Sequence, residues 1–256
     1  TFNYIPTSTF TLPSINCFND TIVVTYTGNA TPQANYNWNF GNAVVVSGVG
    51  AGPYAIAYNQ TGTFPVSLQI TQNGCTSSTT TLQTTNPEPI SLSLSKVDVT
   101  CFGYNDGLVS SQVSGGTPPY SYHWNNGSIF ANQTQATAGW YFLTVTDQNG
   151  CKAMADITVA EPAKLSIDMI DSIAICKDST ITISSSATGG TSPYTYQWNN
   201  GVNSNSITVS PSTTTIYSLI VKDSHQCIAQ KSVKVYVYPP LNFTATANTD
   251  SICLGE

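Results

Sequence analysis

The sequence predicts an all-β protein made of tandem antiparallel β-sandwich domains that are joined into a semi-rigid rod. Three observations lead to this prediction. Apolar and polar residues alternate with period two, turn-forming dipeptides separate the alternating runs, and one sequence pattern occurs three times along the 256 residues.

The alternating runs indicate half-buried strands. Tyr141, Leu143 and Val145 lie on one face of a predicted strand, and the residues between them lie on the other. Dipeptides such as Asn126-Gly127 and Asn149-Gly150 favour tight turns between such strands. No segment shows a sustained helical period, so several short strands per unit are expected to form small β-sandwiches.

The repeat is clearest around three tryptophans. GGTPPYSYHWNNG at Gly115–Gly127 returns as GGTSPYTYQWNNG at Gly189–Gly201, and a fainter copy, TPQANYNWNFG, stands at Thr31–Gly41. Internal repetition of this kind indicates an array of similar units. The predicted units are residues 7–88, 89–162 and 163–239, with residues 1–6 as the tail of a preceding repeat or a leader and residues 240–256 as the start of a further repeat.

The predicted joints between units are short and contain proline: Pro87-Glu88-Pro89, Glu161-Pro162 and Pro239-Pro240. Proline fixes its own φ and restricts the preceding residue. We therefore expect stiff joints, which is the basis for predicting a rod.

Seven cysteines follow the phase of the repeat. One precedes each repeated tryptophan and a second follows it, which predicts one disulfide within each unit: Cys17 with Cys75, Cys101 with Cys151, and Cys176 with Cys227. Cys253 is left without a partner in the sequence and is expected to open a fourth unit. Regularly spaced, paired cysteines indicate an oxidising compartment.

The repeated aromatic residues are predicted to form the buried face of one strand in each unit, because they alternate with polar residues in all three copies. They are Trp38, Trp124, Trp198, Tyr36, Tyr120, Tyr122, Tyr194 and Tyr196. Trp140 is the exception, since Thr215 is taken as its counterpart in the third unit. We expect Trp140 to be exposed and name it as the candidate interaction residue.

The composition excludes several functional classes. The net charge is −6 and the seven cationic residues are all lysines, which argues against nucleic-acid binding. The longest apolar run is too short for a membrane span. No arrangement of nucleophile, base and acid recurs in the units, so neither catalysis nor a cofactor is expected.

Metal binding is also not expected. The cysteines lack the close spacing of zinc sites. Asp147 and Asp223, which stand at equivalent positions before a second cysteine, are weak calcium candidates. Calcium requires six or more oxygen ligands, and a turn-forming aspartate is the simpler interpretation.

The second unit closely resembles the repeat of the giant gliding-motility adhesins of Bacteroidota. The resemblance rests on CFGYNDG at Cys101–Gly107, SGGTPPYSYHW at Ser114–Trp124, AGWYFLTVTD at Ala138–Asp147 and the following Asn149-Gly150-Cys151. The third unit is similar but looser. The first unit, with YNWNFGN at Tyr36–Asn42, resembles a PKD (polycystic kidney disease) domain in which asparagine replaces both aspartates of the motif.

This resemblance implies immunoglobulin-like β-sandwiches in a cell-surface or secreted protein, exported by the type IX route, associated with the outer membrane and without enzymatic activity. It implies roles in adhesion, filaments or stalks. Four Asp-Ser/Thr-apolar or similar sites also resemble the O-glycosylation acceptor of Bacteroidota, at Thr21, Ser172, Ser179 and Ser251.

Three functions follow as alternatives. The first is a stalk with surface-display or adhesion repeats, whose partners are neighbouring repeats and a surface polysaccharide or another protein. The second is a filament subunit that self-assembles by β-strand donation from residues 241–256. The third is a carbohydrate-binding accessory module of a larger secreted enzyme, since aromatic faces also stack on sugars.

Overall fold

The computed structural model of the chain describes residues 4–240. These residues form strands and loops without a helix, which confirms the predicted all-β class. They fall into two compact units. One contains the chain up to Asp98 and the segment Asp106–Val159, and the other contains Val99–Asn105 and the chain from Ala160 onward.

The first sandwich packs two sheets, ordered β1-β2-β5-β4 and β3-β6-β7, with β8 paired to β6. Its core has Val24 and Ile56 from one sheet against Val66, Leu68 and Ile70 from the other, all fully buried. The strands are β1 (Phe10–Thr11), β2 (Thr21–Tyr26), β3 (Asn35–Asn39), β4 (Val44–Ser47), β5 (Tyr54–Ala57), β6 (Gly62–Gln72), β7 (Cys75–Thr76) and β8 (Thr80–Asn86).

The second sandwich has two three-stranded antiparallel sheets, ordered β12-β10-β9 and β11-β13-β14. Trp124, Leu143 and Val145 are fully buried on one sheet and Val109 on the other, as the period-two alternation predicts. The strands are β9 (Ser91–Val97), β10 (Gly107–Ser114), β11 (Ser121–Trp124), β12 (Gln133–Ala136), β13 (Gly139–Thr146) and β14 (Lys152–Val159).

The third sandwich has one four-stranded sheet, ordered β16-β22-β21-β19, and two strand pairs, β15-β18 and β17-β20. Leu219, Val221 and Val233 of the large sheet pack with Ile183 and Ile207 of β17 and β20. The strands are β15 (Ser166–Asp168), β16 (Ser172–Cys176), β17 (Ile181–Ser184), β18 (Ser186–Thr188), β19 (Thr195–Trp198), β20 (Ser206–Val209), β21 (Thr215–Lys222) and β22 (Ile228–Tyr238).

One strand pair departs from the antiparallel rule. β16 runs parallel to β22, with Ser172 opposite Lys234 and Cys176 opposite Tyr238. This pairing places Cys176 beside the last residue of the last strand, at the end of the sandwich where the chain leaves it.

Candidate functional site

The structure joins cysteines of neighbouring repeats. Cys17 bonds to Cys151, with their Cα atoms 5.4 Å apart, and Cys101 bonds to Cys227, with their Cα atoms 5.7 Å apart. The prediction of one disulfide within each unit (Cys17–Cys75, Cys101–Cys151, Cys176–Cys227) is therefore wrong. Cys75 and Cys176 are free, and Cys253 lies outside the described residues.

The last strand of the third sandwich explains why its two cysteines cannot pair. Cys227 immediately precedes β22 and Cys176 lies beside Tyr238 at the opposite end of this 11-residue strand. At about 3.3 Å per residue, the strand separates them by roughly 30 Å. A disulfide requires Cα atoms within about 7 Å, so no local adjustment can join this pair.

The two cysteines of the first sandwich also lie far apart. The backbone N–H of Asn16 donates to the carbonyl of Thr85 at 3.1 Å, which holds Cys17 near the end of β8. Cys75 instead opens the short strand β7, which pairs with the last two residues of β6, before β8 begins. The first cysteine thus lies where the chain leaves the sandwich, and the second lies far from it.

Each first cysteine opens the same tight turn, which we call the first-cysteine turn. The second residue after the cysteine has a positive φ, and the N–H of the third donates to the cysteine carbonyl. The φ values are 63° at Asn19, 75° at Gly103 and 64° at Asp178, and the bonds are Asp20 to Cys17 (3.0 Å), Tyr104 to Cys101 (3.1 Å) and Ser179 to Cys176 (3.1 Å).

Two of the second cysteines close a hairpin around a buried aspartate. Asp223 is 2% exposed, and its carboxylate accepts backbone hydrogen bonds from Thr191 (2.8 Å), His225 (2.9 Å) and Cys227 (2.9 Å). The 5% exposed Asp147 accepts the equivalent bonds from Thr117, Asn149 and Cys151, each 2.9 Å long. The aspartate thereby ties the Gly-Gly-Thr turn to the second-cysteine hairpin.

These hydrogen bonds determine the protonation of Asp223. Burial alone would raise its pKa, but the N–H groups of Thr191, Cys227 and His225, together with the charge of His225, hold the pKa below its ordinary value. The carboxylates of Asp147 and Asp223, which we predicted as weak calcium candidates, instead face backbone donors. Within residues 4–240, no three His, Cys, Asp or Glu side chains are grouped to hold a metal ion.

The Gly-Gly-Thr turn packs against the incoming chain. The N–H of Gly190 donates to the carbonyl of Ala163 at 2.6 Å, and a Cβ on Gly189 would overlap the carbonyl of Lys164. In the second sandwich, Gly116 donates to Glu88 at 2.9 Å and Gly115 lies equally close to Pro89. The glycines are needed for this close approach, and their positive φ values favour glycine as well.

The predicted core tryptophans divide into two fully buried residues and one that is half-buried. Trp124 is 0% and Trp198 2% exposed. Their indole N–H groups donate to the carbonyls of Phe130 (2.8 Å) and Ser204 (2.9 Å), which closes the loop that follows each strand. Trp38 is half-buried and packs edge-on against Phe10.

The predicted core tyrosines are half-buried, and three of them donate their hydroxyls to backbone carbonyls. Tyr120 donates to Gly115, Tyr194 donates to Gly189 at 2.7 Å, and Tyr36 donates to Thr31 at 3.0 Å. Tyr122 and Tyr196 are also half-buried.

Trp140 is 55% exposed on β13, as predicted. Its ring stacks on Phe142 with centroids 5.6 Å apart, and its indole N–H donates to Asp156 at 3.0 Å. The side chain of Asn125 holds the backbone of β13 at this point: it donates to the Trp140 carbonyl at 3.0 Å and accepts from the Phe142 N–H at 3.1 Å. Met154, 60% exposed, lies on the neighbouring strand β14.

The counterpart of Trp140 in the third sandwich is Ile216, since Asn199 bonds to the Ile216 carbonyl as Asn125 bonds to that of Trp140. The assignment of Thr215 as the counterpart was therefore one residue out of register. Ile216 is not aromatic either, so Trp140 still has no aromatic counterpart in the third sandwich.

Of the residues predicted to carry glycans, Thr21 and Ser172 are exposed, Ser179 is half-buried, and Ser251 lies outside the described residues.

Two segments of the chain, residues 93–129 and 175–203, match the SprB repeat. The predicted resemblance to the gliding-motility adhesin repeat is thus confirmed. No curated protein matches the sequence. Repeats of this kind are typically non-enzymatic. The chain is a structural or adhesion-type repeat segment, and its disulfides and this match indicate an extracellular protein.

Among solved structures, the chain is similar to a three-immunoglobulin-domain fragment of titin, with 11% identity and a TM-score of 0.43, over 91% of this chain and 98% of that one. It is also similar to the three N-terminal domains of the highly immunogenic outer capsid protein of bacteriophage RB49, with 12% identity and a TM-score of 0.38, over 90% of this chain and 100% of that one. Residues 4–240 contain no helix long and apolar enough to cross a membrane.

Proposed function

We propose that the chain is a stalk and display segment of a large repetitive protein on a bacterial cell surface. Units 7–88, 89–162 and 163–239 are the successive domains of this stalk, and disulfides between them limit how far the chain extends under tension. Export by the type IX route and association with the outer membrane belong to the same proposal, which includes no enzymatic activity.

The observation that carries the proposal is the overlap of the two disulfide loops. Cys101 lies between Cys17 and Cys151 in the sequence, and Cys151 lies between Cys101 and Cys227. The shortest covalent path from Cys17 to Cys227 therefore contains only the residues between Cys101 and Cys151. When every sandwich unfolds, a force on the two ends therefore extends only this segment and the residues before Cys17 and after Cys227.

Single-molecule stretching of the chain from its two ends tests this function. With the disulfides intact, the unfolded stretch between Cys17 and Cys227 is limited to the Cys101–Cys151 segment. Reductant should lengthen that stretch roughly fourfold, because all intervening residues then extend at about 3.4 Å each. A Cys176→Ser variant serves as the matched control and should behave like the parent. Equal extension with and without reductant would contradict the proposed mechanical role.

Carbohydrate binding is a second candidate function, favoured by the exposed Trp140, whose ring stacks on the half-buried Phe142. Exposed indole rings offer a flat apolar surface for sugar rings, and the bond to Asp156 holds the indole in place. Glycan-array binding that disappears in Trp140→Ala but persists in Met154→Ala would support it. Binding by Trp140→Ala equal to that of the parent chain would remove it.

A further inference from the structure

The two disulfides follow one rule: the first cysteine of a repeat bonds to the second cysteine of the next repeat. Cys17 of the first repeat bonds to Cys151 of the second, and Cys101 of the second bonds to Cys227 of the third. Under this rule Cys176, the first cysteine of the third repeat, requires a following repeat. Cys75, the second cysteine of the first repeat, requires a preceding one.

The free Cys176 has the local structure of the bonded first cysteines. Cys176 opens the same first-cysteine turn as Cys17 and Cys101, with its carbonyl 3.1 Å from the N–H of Ser179 and a positive φ at Asp178. Cys176 is also exposed. The turn is therefore formed in this chain, and its cysteine is accessible to a partner.

Cys75 shares a backbone feature with the bonded second cysteines, although its hairpin has Thr71 in place of the buried aspartate. The residue before it, Gly74, has a φ of 82°, and Gly150 (86°) and Gln226 (67°) precede Cys151 and Cys227. The hydroxyl of Ser8 donates to the carbonyl of Ser78 at 2.7 Å, so the hairpin of Cys75 lies beside the incoming chain. A preceding repeat would approach from this end.

We infer that Cys176 and Cys75 are covalent attachment points through which this segment is joined to the repeats that follow and precede it. The partner at Cys176 is the second-cysteine hairpin of another repeat of this kind, and the partner at Cys75 is a first-cysteine turn. The disulfide chain thus runs through successive repeats and does not stop at this segment. The inference rests on cysteine geometry and does not depend on adhesion or on stretching.

The chemistry is ordinary thiol oxidation. The Cys176 thiol and the partner thiol each lose a proton and an electron as their sulfur atoms bond. A low-molecular-weight disulfide such as oxidised glutathione accepts both electrons and both protons and leaves as two thiols.

The chain itself provides both halves of the proposed joint, because its first repeat offers Cys75 to the Cys176 of another copy. In a Cys253→Ser background, the full chain is oxidised with glutathione disulfide, and the linked peptides are mapped by mass spectrometry without reduction. We expect the mixed Cys75–Cys176 link between chains to exceed both homotypic links. Cys75→Ser and Cys176→Ser should each remove it.

A two-copy chain, in which residue 7 of the second copy follows residue 239 of the first, raises the effective concentration of the two thiols. Here Cys176 of the first copy should bond almost completely to Cys75 of the second. A statistical mixture of links, or free or glutathione-capped Cys176 in the two-copy chain, would overturn the inference. Retention of Cys17–Cys151 and Cys101–Cys227 in the same digest confirms that the repeats are folded.

Discussion

The carboxylate of Asp223 lies 2.8 Å from the backbone nitrogen of Thr191 and joins two loops that are 32 residues apart in the sequence. The same carboxylate also receives the N–H groups of His225 and Cys227. One buried side chain therefore holds both the turn at the start of the repeat motif and the hairpin that presents the disulfide cysteine.

Replacement of Asp223 by alanine should destabilise the third sandwich by about 3 kcal/mol, since three backbone N–H groups, of which that of Cys227 is buried, lose a charged acceptor. Asp223→Asn should cost less, because one amide oxygen remains as an acceptor. Urea unfolding followed by circular dichroism measures both changes. Asp168→Asn, at an exposed position on β15, is the control and should change stability by less than about 0.5 kcal/mol.

The stability that Asp223 provides should depend on pH. Its pKa in the folded chain lies below the ordinary 3.8, so unfolding is accompanied by proton uptake as the pH falls toward these values. The contribution is complete above the ordinary pKa and is lost as the pH falls through the folded pKa. The difference in free energy of unfolding between the parent and Asp223→Asn should accordingly shrink over the pH range that begins near the ordinary 3.8 and extends below it. A constant difference over this range would falsify the assignment of an ionised carboxylate.

Much of the fold can be predicted from the sequence because period-two alternation reports which face of a strand is buried. Leu219 and Val221 are completely buried, and so are their counterparts Leu143 and Val145. The repeated Trp124 is buried for the same reason. These positions depend on local pattern and on the apolar character of the side chain, and both are visible in the sequence.

The cysteine partners could not be predicted in this way. The repeat phase is equally consistent with pairing inside a unit and with pairing to the next unit. What decides between them is the position of Cys176 opposite Tyr238, a parallel contact that spans 62 residues of sequence. The buried aspartates did carry a signal, because Asp147 and Asp223 stand four residues before Cys151 and Cys227.

Gly189→Ala should destabilise the chain more than Gly201→Ala, although both glycines have a positive φ, 73° and 88°. A Cβ at Gly201 meets no atom within 4 Å, so its cost is limited to the backbone term of about 1–2 kcal/mol. A Cβ at Gly189 would also displace the backbone of Lys164, which should add about 2 kcal/mol. Thermal unfolding of the two variants measures this difference, and equal melting temperatures would show that the turn does not pack on the joint.

Truncation of Trp124 and of Trp140 should separate core from surface in the second sandwich. Trp124→Ala removes a fully buried ring and leaves the Phe130 carbonyl without its indole donor, so it should cost about 3–5 kcal/mol. Trp140→Ala removes a ring that is 55% exposed, and should cost about 1 kcal/mol or less. Calorimetric unfolding measures both without relying on tryptophan fluorescence. Similar losses in the two variants would mean that Trp140 is part of the core, and its proposed role as an interaction residue would then lose its structural basis.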